Sequence, residues 1–568
     1  MCGIFALLNY SKYSLETINN EFMKGQKRGP ESSKFVTEYK KMVLGFHRLA
    51  INGLNEESNQ PLVINGVVLI CNGEIYNYKQ LYETMEITPI TGSDCEVIIH
   101  LYIKYGIEQT LTMLDGVYSF ILYDTRKTSY LAEQVYVARD PFGVRPLYLL
   151  KHGLSNILSP FGFASELKSL DYFCNDNNFY GIYQFQPGTY STFSFSTTCY
   201  DHWQIEKENI IYTMPSFPHN WLINNNNQIM FVDNLWLTIS ASLNTAVIKR
   251  CLTTERPIAC LLSGGLDSSL IASLVNNFYK SNGNHNKLET YSIGLEGSED
   301  LKYARIVADY LDTKHTEIIV TEQEMFEVIP EVIKAIESYD TTTIRASIGN
   351  YLLGKYISTH SEAKVIFNGD GSDELLGGYL YMNECPDDIE FDKETRRLLK
   401  DIHLFDVLRS DKSISSHGLE PRTPFLDKNF VNFILSIPPY IRNHKNIPEG
   451  CIEKFILRNS FCVNYFKNFN DKQILPNEIL WRKKEAFSDG VSSQGRSLYK
   501  ILQEQIANKL NTENNVTHYE PNIETEKLYY KKLFISLYPN CADIVPYFWM
   551  PKYITSNDPS ARTLAIYN

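Results

Sequence analysis

Residues 260–270 read CLLSGGLDSSL, an apolar run followed by a short segment rich in glycine and serine. The apolar residues Ile258–Leu262 predict a buried strand, and the residues after Asp267 predict a helix. Two adjacent glycines let the turn expose its backbone amides, and the helix N-terminus adds a dipole that favours an anion. The segment therefore predicts a cradle for pyrophosphate between a strand and a helix.

This cradle is not the GxxxxGK[ST] phosphate loop, because it lacks the lysine. The carboxylate of Asp267 would repel a bare phosphate, so we expect it to hold Mg²⁺ against one. The alternative is a serine-capped helix after a glycine turn. The position of the whole SGGLDSS segment between a buried strand and a helix favours the phosphate site.

Strands and helices alternate along the chain that surrounds this segment. Apolar runs at Leu288–Leu295 and Lys364–Phe367 are typical of buried parallel strands, and amphipathic segments such as Leu301–Leu311 lie between them. The alternation predicts a doubly wound α/β domain with a parallel sheet over residues 235–568. From about residue 395 the pattern of this domain becomes mostly helical.

The first 195 residues have a different pattern. Short β-like runs such as Met42–Ile51 and Gly116–Tyr123 alternate with turns, and a helix is predicted at Asp94–Tyr105. Residues 1–195 are therefore predicted to form a sheet-rich α+β domain. Residues 196–234 are polar and irregular, with Pro215 and Pro218, and we expect a linker there.

A second polar loop follows a predicted strand at residues 365–379, VIFNGDGSDELLGGY. Ligands of open α/β sheets bind at the carboxyl ends of the strands, so this loop and the cradle are expected to face one crevice. Asp267 and Asp373 could then share one Mg²⁺ ion. An acidic, glycine-rich surface loop is the alternative, but it leaves the paired placement unexplained.

The composition limits the classes of function. The chain has 568 residues, which is too long for a single core, and its formal net charge of -12 argues against nucleic-acid binding as the main function. Eleven cysteines without metal-type spacing suit a reducing compartment, and a cytoplasmic location is expected. No apolar run reaches the roughly 20 residues that span a membrane, and the N-terminus lacks the features of a signal peptide.

The N-terminal sequence MCGIFALLNY places a cysteine directly after the first methionine. Removal of Met1 would give Cys2 a free α-amine, which could act as the base for its own thiol. Asn72 and Gly73 could donate to an oxyanion, Arg48 could bind a substrate carboxylate, and Asp94 a substrate ammonium group. For a cysteine at this position alone, a buried structural thiol is the more common explanation.

Ordered motifs along nearly the whole chain identify a family. They include MCGIF (1–5), RGPE (28–31), HRLAI (47–51), NGEIYN (72–77), TGSDCE (91–96), ARDPFGVRPLY (138–148), LLSGGLDSS (261–269), ESYDTTTIRAS (337–347), HGLEPRTPFLD (417–427), ILWRKKEAFSDGV (479–491) and YFWMPKYITSNDPSARTL (547–564). In these motifs the chain resembles the glutamine-hydrolysing asparagine synthetases, and the eukaryotic members more than the bacterial ones.

The resemblance implies two joined domains with different folds and activities. The first would be an N-terminal-nucleophile glutaminase with an αββα sandwich, and the second an ATP-pyrophosphatase-type synthetase. Aspartate, glutamine and ATP would be the substrates, with Mg²⁺ as the cofactor and β-aspartyl-AMP as the intermediate. Ammonia would cross an internal channel between the two sites. Homodimers occur in the family, so a homodimer is possible.

The resemblance also implies roles for individual residues. Cys2 would attack glutamine, with Asn72 and Gly73 as the oxyanion hole. Glutamine would be bound by Arg48, Leu49, Ala50, Ile51, Asn52, Asn72, Gly73, Glu74 and Asp94. ATP would be bound by Leu262, Ser263, Gly264, Gly265, Asp267, Ser268, Ser269, Ile293, Arg345, Asn368 and Gly369. Glu337, Asp370 and Lys454 would take part in catalysis at the synthetase site, and Asp267 and Asp373 would hold the metal.

The chain departs from the family pattern in the second polar loop. The usual Ser-Gly-Glu-Gly-Ser-Asp-Glu reads here Asn368-Gly-Asp370-Gly-Ser-Asp-Glu374, and Glu31 replaces the usual aspartate of RGPD. A shortened carboxylate at residue 370 could cost on the order of 10²-fold in rate if its position matters. Three alternatives therefore stand beside an active asparagine synthetase. They are a related enzyme that adenylates another carboxylate, a nucleotide or glutamine sensor, and an assembly module with two relic sites.

Overall fold

Two antiparallel sheets form the first part of the chain. The structure, a computed structural model, describes residues 1–126, 132–152, 159–174, 180–197, 201–214, 216–217, 228–284, 286–447, 452–493, 495–513 and 518–564. The strands of the first part are β1 (Gly3–Leu8), β2 (Ser32–Tyr39), β3 (Met42–Arg48), β4 (Leu62–Ile64), β5 (Val67–Ile75), β6 (Gly116–Asp124), β7 (Gln134–Arg139), β8 (Tyr148–His152), β9 (Phe161–Ala164), β10 (Tyr180–Gln184), β11 (Thr189–Ser196) and β12 (His202–Ile211). Its helices are α1 (Leu15–Met23), α2 (Tyr78–Met85) and α3 (Glu96–Met113).

Side chains that alternate along these strands create four layers. One sheet has the order β10-β8-β9-β1-β3-β2 and the other β12-β11-β7-β6-β5-β4. Along β1, Ile4 and Leu8 pack between the sheets, whereas Phe5 packs on the opposite face near α1. Along β5, Ile70 faces the first sheet and Leu69 faces α2 and α3. Period-two alternation on both sheets therefore produces the αββα sandwich that the resemblance implied.

The second sheet extends into the segment predicted as a linker. Strand β12 pairs with β11 from Ser196 opposite His202 to Thr189 opposite Ile211. Most side chains of β12 are exposed, because it is the edge strand of the sheet. An exposed polar edge strand lacks the apolar alternation that marks a half-buried strand, so its sequence is similar to that of a loop. Pro215 and Pro218 of the predicted linker lie outside the described residues.

A five-stranded parallel sheet organises the second part. Its strands are β13 (Ile258–Leu261), β14 (Glu289–Leu295), β15 (Lys314–Val320), β16 (Val365–Phe367) and β17 (Glu420–Arg422). Its helices are α4 (Gln228–Leu252), α5 (Leu266–Ser281), α6 (Glu299–Leu311), α7 (Glu322–Glu327), α8 (Ile329–Ile336), α9 (Thr341–His360), α10 (Ser372–Leu376), α11 (Asp388–Asp401), α12 (Asp406–Ser415), α13 (Lys428–Ser436), α14 (Pro439–Arg442), α15 (Phe455–Ser460), α16 (Asn477–Leu480), α17 (Phe487–Gly490), α18 (Leu498–Glu513) and α19 (Ile523–Leu537).

The order of these strands determines where a ligand-binding crevice forms at the edge of the sheet. The order is β15-β14-β13-β16-β17, so the chain moves outward from β13 to β15 and then crosses to β16. Cys260 and Phe367 pack against the layer that contains α4 and α5, and Ala259 and Ile366 pack against the layer that contains α8 and α9. The predicted doubly wound α/β domain and the helical character of its C-terminal part are confirmed. Its topological switch lies between β13 and β16.

Buried ion pairs join the two parts. Arg28 Nη1 lies 2.8 Å from Asp411, and Arg145 Nη2 lies 3.6 Å from Glu420. Each of these side chains is at most 2% exposed.

No helix among the described residues is long and apolar enough to cross a membrane.

Candidate functional site

The ends of β1, β3 and β5 bring the predicted thiol site together. Gly3 of β1 pairs with His47 of β3, and the thiol of Cys2 donates a hydrogen bond to the carbonyl oxygen of Leu49 at 3.6 Å. Asn52 Nδ2 donates to Glu74 Oε2 at 2.6 Å. These contacts place the segment 48–52 between Cys2 and the end of β5.

Asp94 reaches the same place from the loop before α3. Its Oδ2 accepts from the backbone N–H of Ile75 at 2.6 Å, and its Oδ1 lies 3.5 Å from Asn52 Nδ2. These contacts bring together five of the residues predicted for the thiol site: Cys2, Leu49, Asn52, Glu74 and Asp94. Of the other predicted residues, Arg48, Ala50 and Ile51 belong to the segment 48–52, and Asn72 and Gly73 belong to β5. Arg48 Nη2 donates to the carbonyl oxygens of Gly53 and Asn55 at 2.6 and 2.8 Å.

The side-chain amide of Asn72 has unused hydrogen-bonding capacity. Asn72 is 0% exposed, and within the described chain neither its Nδ2 nor its Oδ1 has a hydrogen-bond partner. An unpartnered buried amide costs stability, so a ligand that pairs with it recovers that cost. Asn72 is therefore suited to donate to a bound oxygen.

Two buried carboxylates, Asp94 and Glu74, lie close together at the thiol site, and Arg422 Nη2 lies 3.5 Å from Glu74 Oε2. Burial raises the pKa of Asp94 to about 6, although the N–H of Ile75 lowers it. Burial also raises the pKa of Glu74 well above its usual value, and the nearby Asp94 and Glu420 add to this shift. A cation bound here would relieve the repulsion between these groups, so the site favours a ligand with an ammonium group.

Burial also affects the two groups at the chain start, the buried Met1 and the half-buried Cys2. The Met1 ammonium lies 3.6 Å from Glu420 Oε2, and burial lowers its pKa. Burial raises the pKa of the Cys2 thiol. With Met1 attached, the thiol is therefore protonated and weakly nucleophilic at neutral pH.

The second site lies at the switch between β13 and β16. Ser268 Oγ accepts from the backbone N–H of Ser263 at 3.1 Å and lies 2.9 Å from Ser263 Oγ. These bonds close the glycine-serine turn before α5. A cavity opens beside it whose lining includes the predicted residues Leu262, Ser263, Gly265, Asp267, Ser268, Ile293, Asn368, Gly369, Asp370, Asp373 and Lys454.

Two lysines bridge the carboxylates that were predicted to share a metal. Lys454 Nζ lies 2.6 Å from Asp267 Oδ2 and 2.5 Å from Asp373 Oδ1. Lys484 Nζ lies 2.5 Å from Asp373 Oδ2 and 3.8 Å from Asp267. Burial opposes ionisation of Asp373, but the two ammonium groups outweigh it and hold its pKa well below the usual value. Asp373 is therefore ionised, and Lys454 holds Asp267 close to it.

This donor set fits Mg²⁺. Asp267 Oδ1 also accepts from the hydroxyl of Ser372 at 2.7 Å, so oxygen atoms surround the position. Magnesium prefers oxygen ligands and commonly takes one or two carboxylates together with phosphates and water. No group of three or more His, Cys, Asp or Glu side chains that could hold a metal ion occurs in the described part of the chain.

Gly369 permits the close approach of the two loops. A Cβ atom at this residue would lie 2.8 Å from the backbone carbon and from the Cβ of Asp267. Such a contact is far inside van der Waals distance, so only glycine fits. The spacing between the cradle and the second loop therefore depends on this residue.

Four predicted residues do not line the cavity. Gly264 adopts φ +72° and packs against Ala304, and Ser269 is fully buried in α5. Arg345 is held by Glu526 at 2.5 Å and Asp558 at 2.7 Å, although its neighbours on α9 do line the cavity.

Glu337 is the fourth of these residues. Its carboxylate accepts from the backbone N–H groups of Leu167 and Lys168 at 2.7 and 2.9 Å and pairs with Lys412. Glu337 thus joins the two domains and has no contact with the lining of the cavity among the described hydrogen bonds and ion pairs. Its predicted role beside the reacting ammonia stays a prediction.

Several lining residues were missed by the sequence analysis. One of them is Lys484, which follows α16 in an irregular segment and is largely buried. Its place inside the shared motif ILWRKKEAFSDGV was the available signal. Apolar lining comes from Leu261, Tyr291, Ala346, Leu353, Phe487 and Trp549.

Comparison with known proteins gives a family for each of the two parts of the chain. A family described as "Asparagine synthase" matches residues 238–388 and 383–552, and one described as "Glutamine amidotransferase domain" matches residues 1–196. Proteins named "Asparagine synthetase [glutamine-hydrolyzing]" from Cricetulus griseus and Homo sapiens are 39% and 38% identical to this chain. The one from Rattus norvegicus is 40% identical. Each alignment covers 100% of this chain and 99% of the relative.

The approach of the two loops at Gly369 can be tested by adding one methyl group. In Gly369→Ala we expect affinity for Mg-ATP to fall by about tenfold or more, because the second loop must move away from Asp267. Titration of the protein with Mg-ATP measures the loss. Gly495→Ala is the control, because an added Cβ there meets nothing within 4 Å. Equal affinity in the two variants would contradict the steric argument.

Proposed function

This chain belongs to the glutamine-hydrolysing asparagine synthetases, and from that membership we propose that it converts aspartate, ATP, glutamine and water to asparagine, AMP, pyrophosphate and glutamate. The proposal rests on one observation above the others: a single chain holds a thiol in contact with the segment 48–52 and, in its second domain, a carboxylate–lysine cradle. Loss of either would have favoured the sensor or the relic module.

Glutamine hydrolysis is assigned to the thiol site. Asp94 and Glu74 bind the α-ammonium group of glutamine, since they supply the buried negative charge, and Arg48 binds its α-carboxylate. The Cys2 sulfur attacks the side-chain amide carbon, and the resulting oxyanion is held by Asn72 Nδ2 and the Gly73 N–H. Collapse of this intermediate releases ammonia and leaves a thioester, which water hydrolyses to glutamate.

Removal of Met1 is part of this proposal. The thiol has a raised pKa when buried behind Met1, so it needs a base. The free α-amine of a mature Cys2 has an ordinary pKa near ~8 and can take the thiol proton. One residue then supplies both the nucleophile and the base.

Activation of aspartate is assigned to the cradle between β13 and β16. The β-carboxylate of aspartate attacks the α-phosphorus of ATP, which forms β-aspartyl-AMP and releases pyrophosphate. Ser263, Gly265 and Ser268 surround the pyrophosphate, and Lys454 and Lys484 supply positive charge to it. The apolar lining at Leu262 and Ile293 suits the nucleotide base.

Magnesium belongs to this site. Asp267 and Asp373 would hold it, and it would neutralise the phosphate charge that develops as pyrophosphate leaves. Ammonia from the thiol site then passes between the domains and attacks the acyl carbon of β-aspartyl-AMP. Asparagine and AMP are the products of that step.

Replacement of Cys2 tests whether glutamine hydrolysis and asparagine synthesis occur at separate sites. In Cys2→Ala we expect glutamine-dependent synthesis to fall below detection, while synthesis from ammonium chloride stays within about twofold of the parent. Asparagine and pyrophosphate are measured with each nitrogen source. Cys462→Ala, a second half-buried cysteine, is the control. Equal loss with both nitrogen sources would contradict separate sites, and an intact mass that retains Met1 would exclude the amine as base.

Replacement of the metal-binding carboxylate tests the second site. In Asp267→Asn we expect pyrophosphate release to fall by on the order of 10²-fold or more, because one charge of the metal site is lost. Glutaminase activity should be retained, since the thiol site is separate. The exposed Asp309→Asn serves as the control. Full pyrophosphate release in Asp267→Asn would remove this residue from the metal site.

The raised pKa of Asp94 predicts the pH dependence of the glutaminase. Its carboxylate is ionised above a pKa of about 6 and neutral below it, and only the ionised form pairs with the ammonium of glutamine. We expect kcat/KM for glutamine to fall as the pH drops through about 6, while kcat/KM for ammonium-dependent synthesis lacks this step. A glutaminase profile that is flat from pH 5 to pH 7 would contradict the role of Asp94.

A further inference from the structure

The segment that binds glutamine is held by the other domain. Residues 49–53 follow β3, and residues 253–256 connect α4 to β13. Hydrogen bonds link the two segments along their whole length, and they use backbone groups as well as side chains. Sequence reasoning gave residues 253–256 no role.

Arg256 and Glu31 enclose the peptide groups of Ala50. Arg256 Nε donates to the carbonyl oxygen of Ala50 at 2.8 Å, and the backbone N–H of Ala50 donates to Glu31 Oε2 at 2.8 Å. The guanidinium and the carboxylate also pair with each other at 2.8 Å. Ala50 is thereby fixed through both of its backbone polar groups.

Glu255 fixes the next residues in the same way. Its backbone N–H donates to the carbonyl oxygen of Ile51 at 3.0 Å, and its Oε1 accepts from the backbone N–H of Gly53 at 2.7 Å. Gly53 has φ +60°, so the chain turns sharply at this contact. Thr253 adds a third bond, because its carbonyl oxygen lies 3.3 Å from Asn52 Nδ2.

We propose that Glu255 and Arg256 position the glutamine-binding segment. The synthetase domain thus supplies two positioning residues to the glutaminase site. The proposal rests on the proposed function, because it takes residues 48–52 as the glutamine-binding segment. A loop that is already held in its binding conformation loses less entropy when the ligand binds. Without these contacts the loop would have to order itself at the cost of glutamine affinity.

The position of the segment in the fold supports this role. Arg256 lies two residues before Ile258, the first residue of β13, and that strand runs directly into the phosphate cradle. One continuous piece of chain therefore positions the glutamine loop at its start and the nucleotide loop at its end. Neither Glu255 nor Arg256 contacts the Cys2 thiol by a hydrogen bond, so they act through the loop.

Truncation of Glu255 is the first test. In Glu255→Ala we expect KM for glutamine to rise about tenfold, because a charge-assisted hydrogen bond to Gly53 is lost, with kcat changed by less than about twofold. Synthesis from ammonium chloride should be unchanged. Glu255→Gln should restore most of the affinity, because its amide oxygen still accepts from the Gly53 N–H. Arg256→Ala should also raise KM for glutamine, whereas Glu57→Ala, an exposed carboxylate of the same loop, should not.

A binding measurement separates positioning from catalysis and from folding. The Cys2→Ala variant cannot turn glutamine over, so its Kd for glutamine can be measured directly. Adding Glu255→Ala to it should raise this Kd by the same factor by which Glu255→Ala alone raises KM. An unchanged KM and Kd would overturn the proposal, as would a fall in kcat alone or an equal loss of ammonium-dependent synthesis. Failure of the proposed function would instead show as a parent enzyme that does not hydrolyse glutamine.

Discussion

Each buried charge at the interface between the two domains must have a partner of opposite charge, and the rest of the structure depends on this constraint. Arg28 reaches from the glutaminase domain to Asp411, and Arg145 reaches to Glu420. A buried charge without its partner costs several kcal/mol, on the order of 3–5 when one member of a pair is removed. The domains can therefore pack only in the arrangement that matches every pair. The thiol site contacts the second domain, and the cradle lies within that domain, so a fixed interface also fixes the separation and orientation of the two sites.

The same constraint explains why some charged residues of shared motifs lie away from reacting groups. Glu337 compensates Lys412 and caps the backbone of Leu167 and Lys168, which belong to the other domain. Arg345 compensates Glu526 and Asp558 and so fastens the C-terminal segment to α9. Either residue would be costly to replace even without contact to a substrate. A motif therefore identifies charges that the protein needs, and the fold decides which of them meet the ligand.

The sequence was sufficient to predict elements and sites that depend on local residue pattern. It was not sufficient for those that depend on contacts between residues far apart in the chain. The continuous apolar run Ile258–Leu262 was sufficient for the strand before the cradle, and the strand-end rule placed Asp267 near Asp373. It could not reveal β12, whose exposed side chains lack alternation. Local pattern also gave no sign of Lys484, which reaches Asp373 from more than a hundred residues away, and only the shared motif around Lys484 could have indicated it. Arg256 is 225 residues from its partner Glu31, and spacing along the chain carries no signal for such a pair.

The two departures in the second loop have a structural explanation that favours activity. Asn368 Nδ2 donates to the hydroxyl of Ser410 at 2.6 Å, and Asn368 Oδ1 accepts from the backbone N–H of Asp370 at 3.3 Å. A serine hydroxyl is shorter than this amide, so the asparagine holds both its own strand end and the residue after Gly369. Asp370 lines the cavity and lies 3.6 Å from Arg409, and burial raises its pKa despite that cation. The longer side chain of Asn368 thus braces the backbone at Asp370, while Arg409 faces the shorter carboxylate, and both contacts suit an altered but intact loop better than a relic.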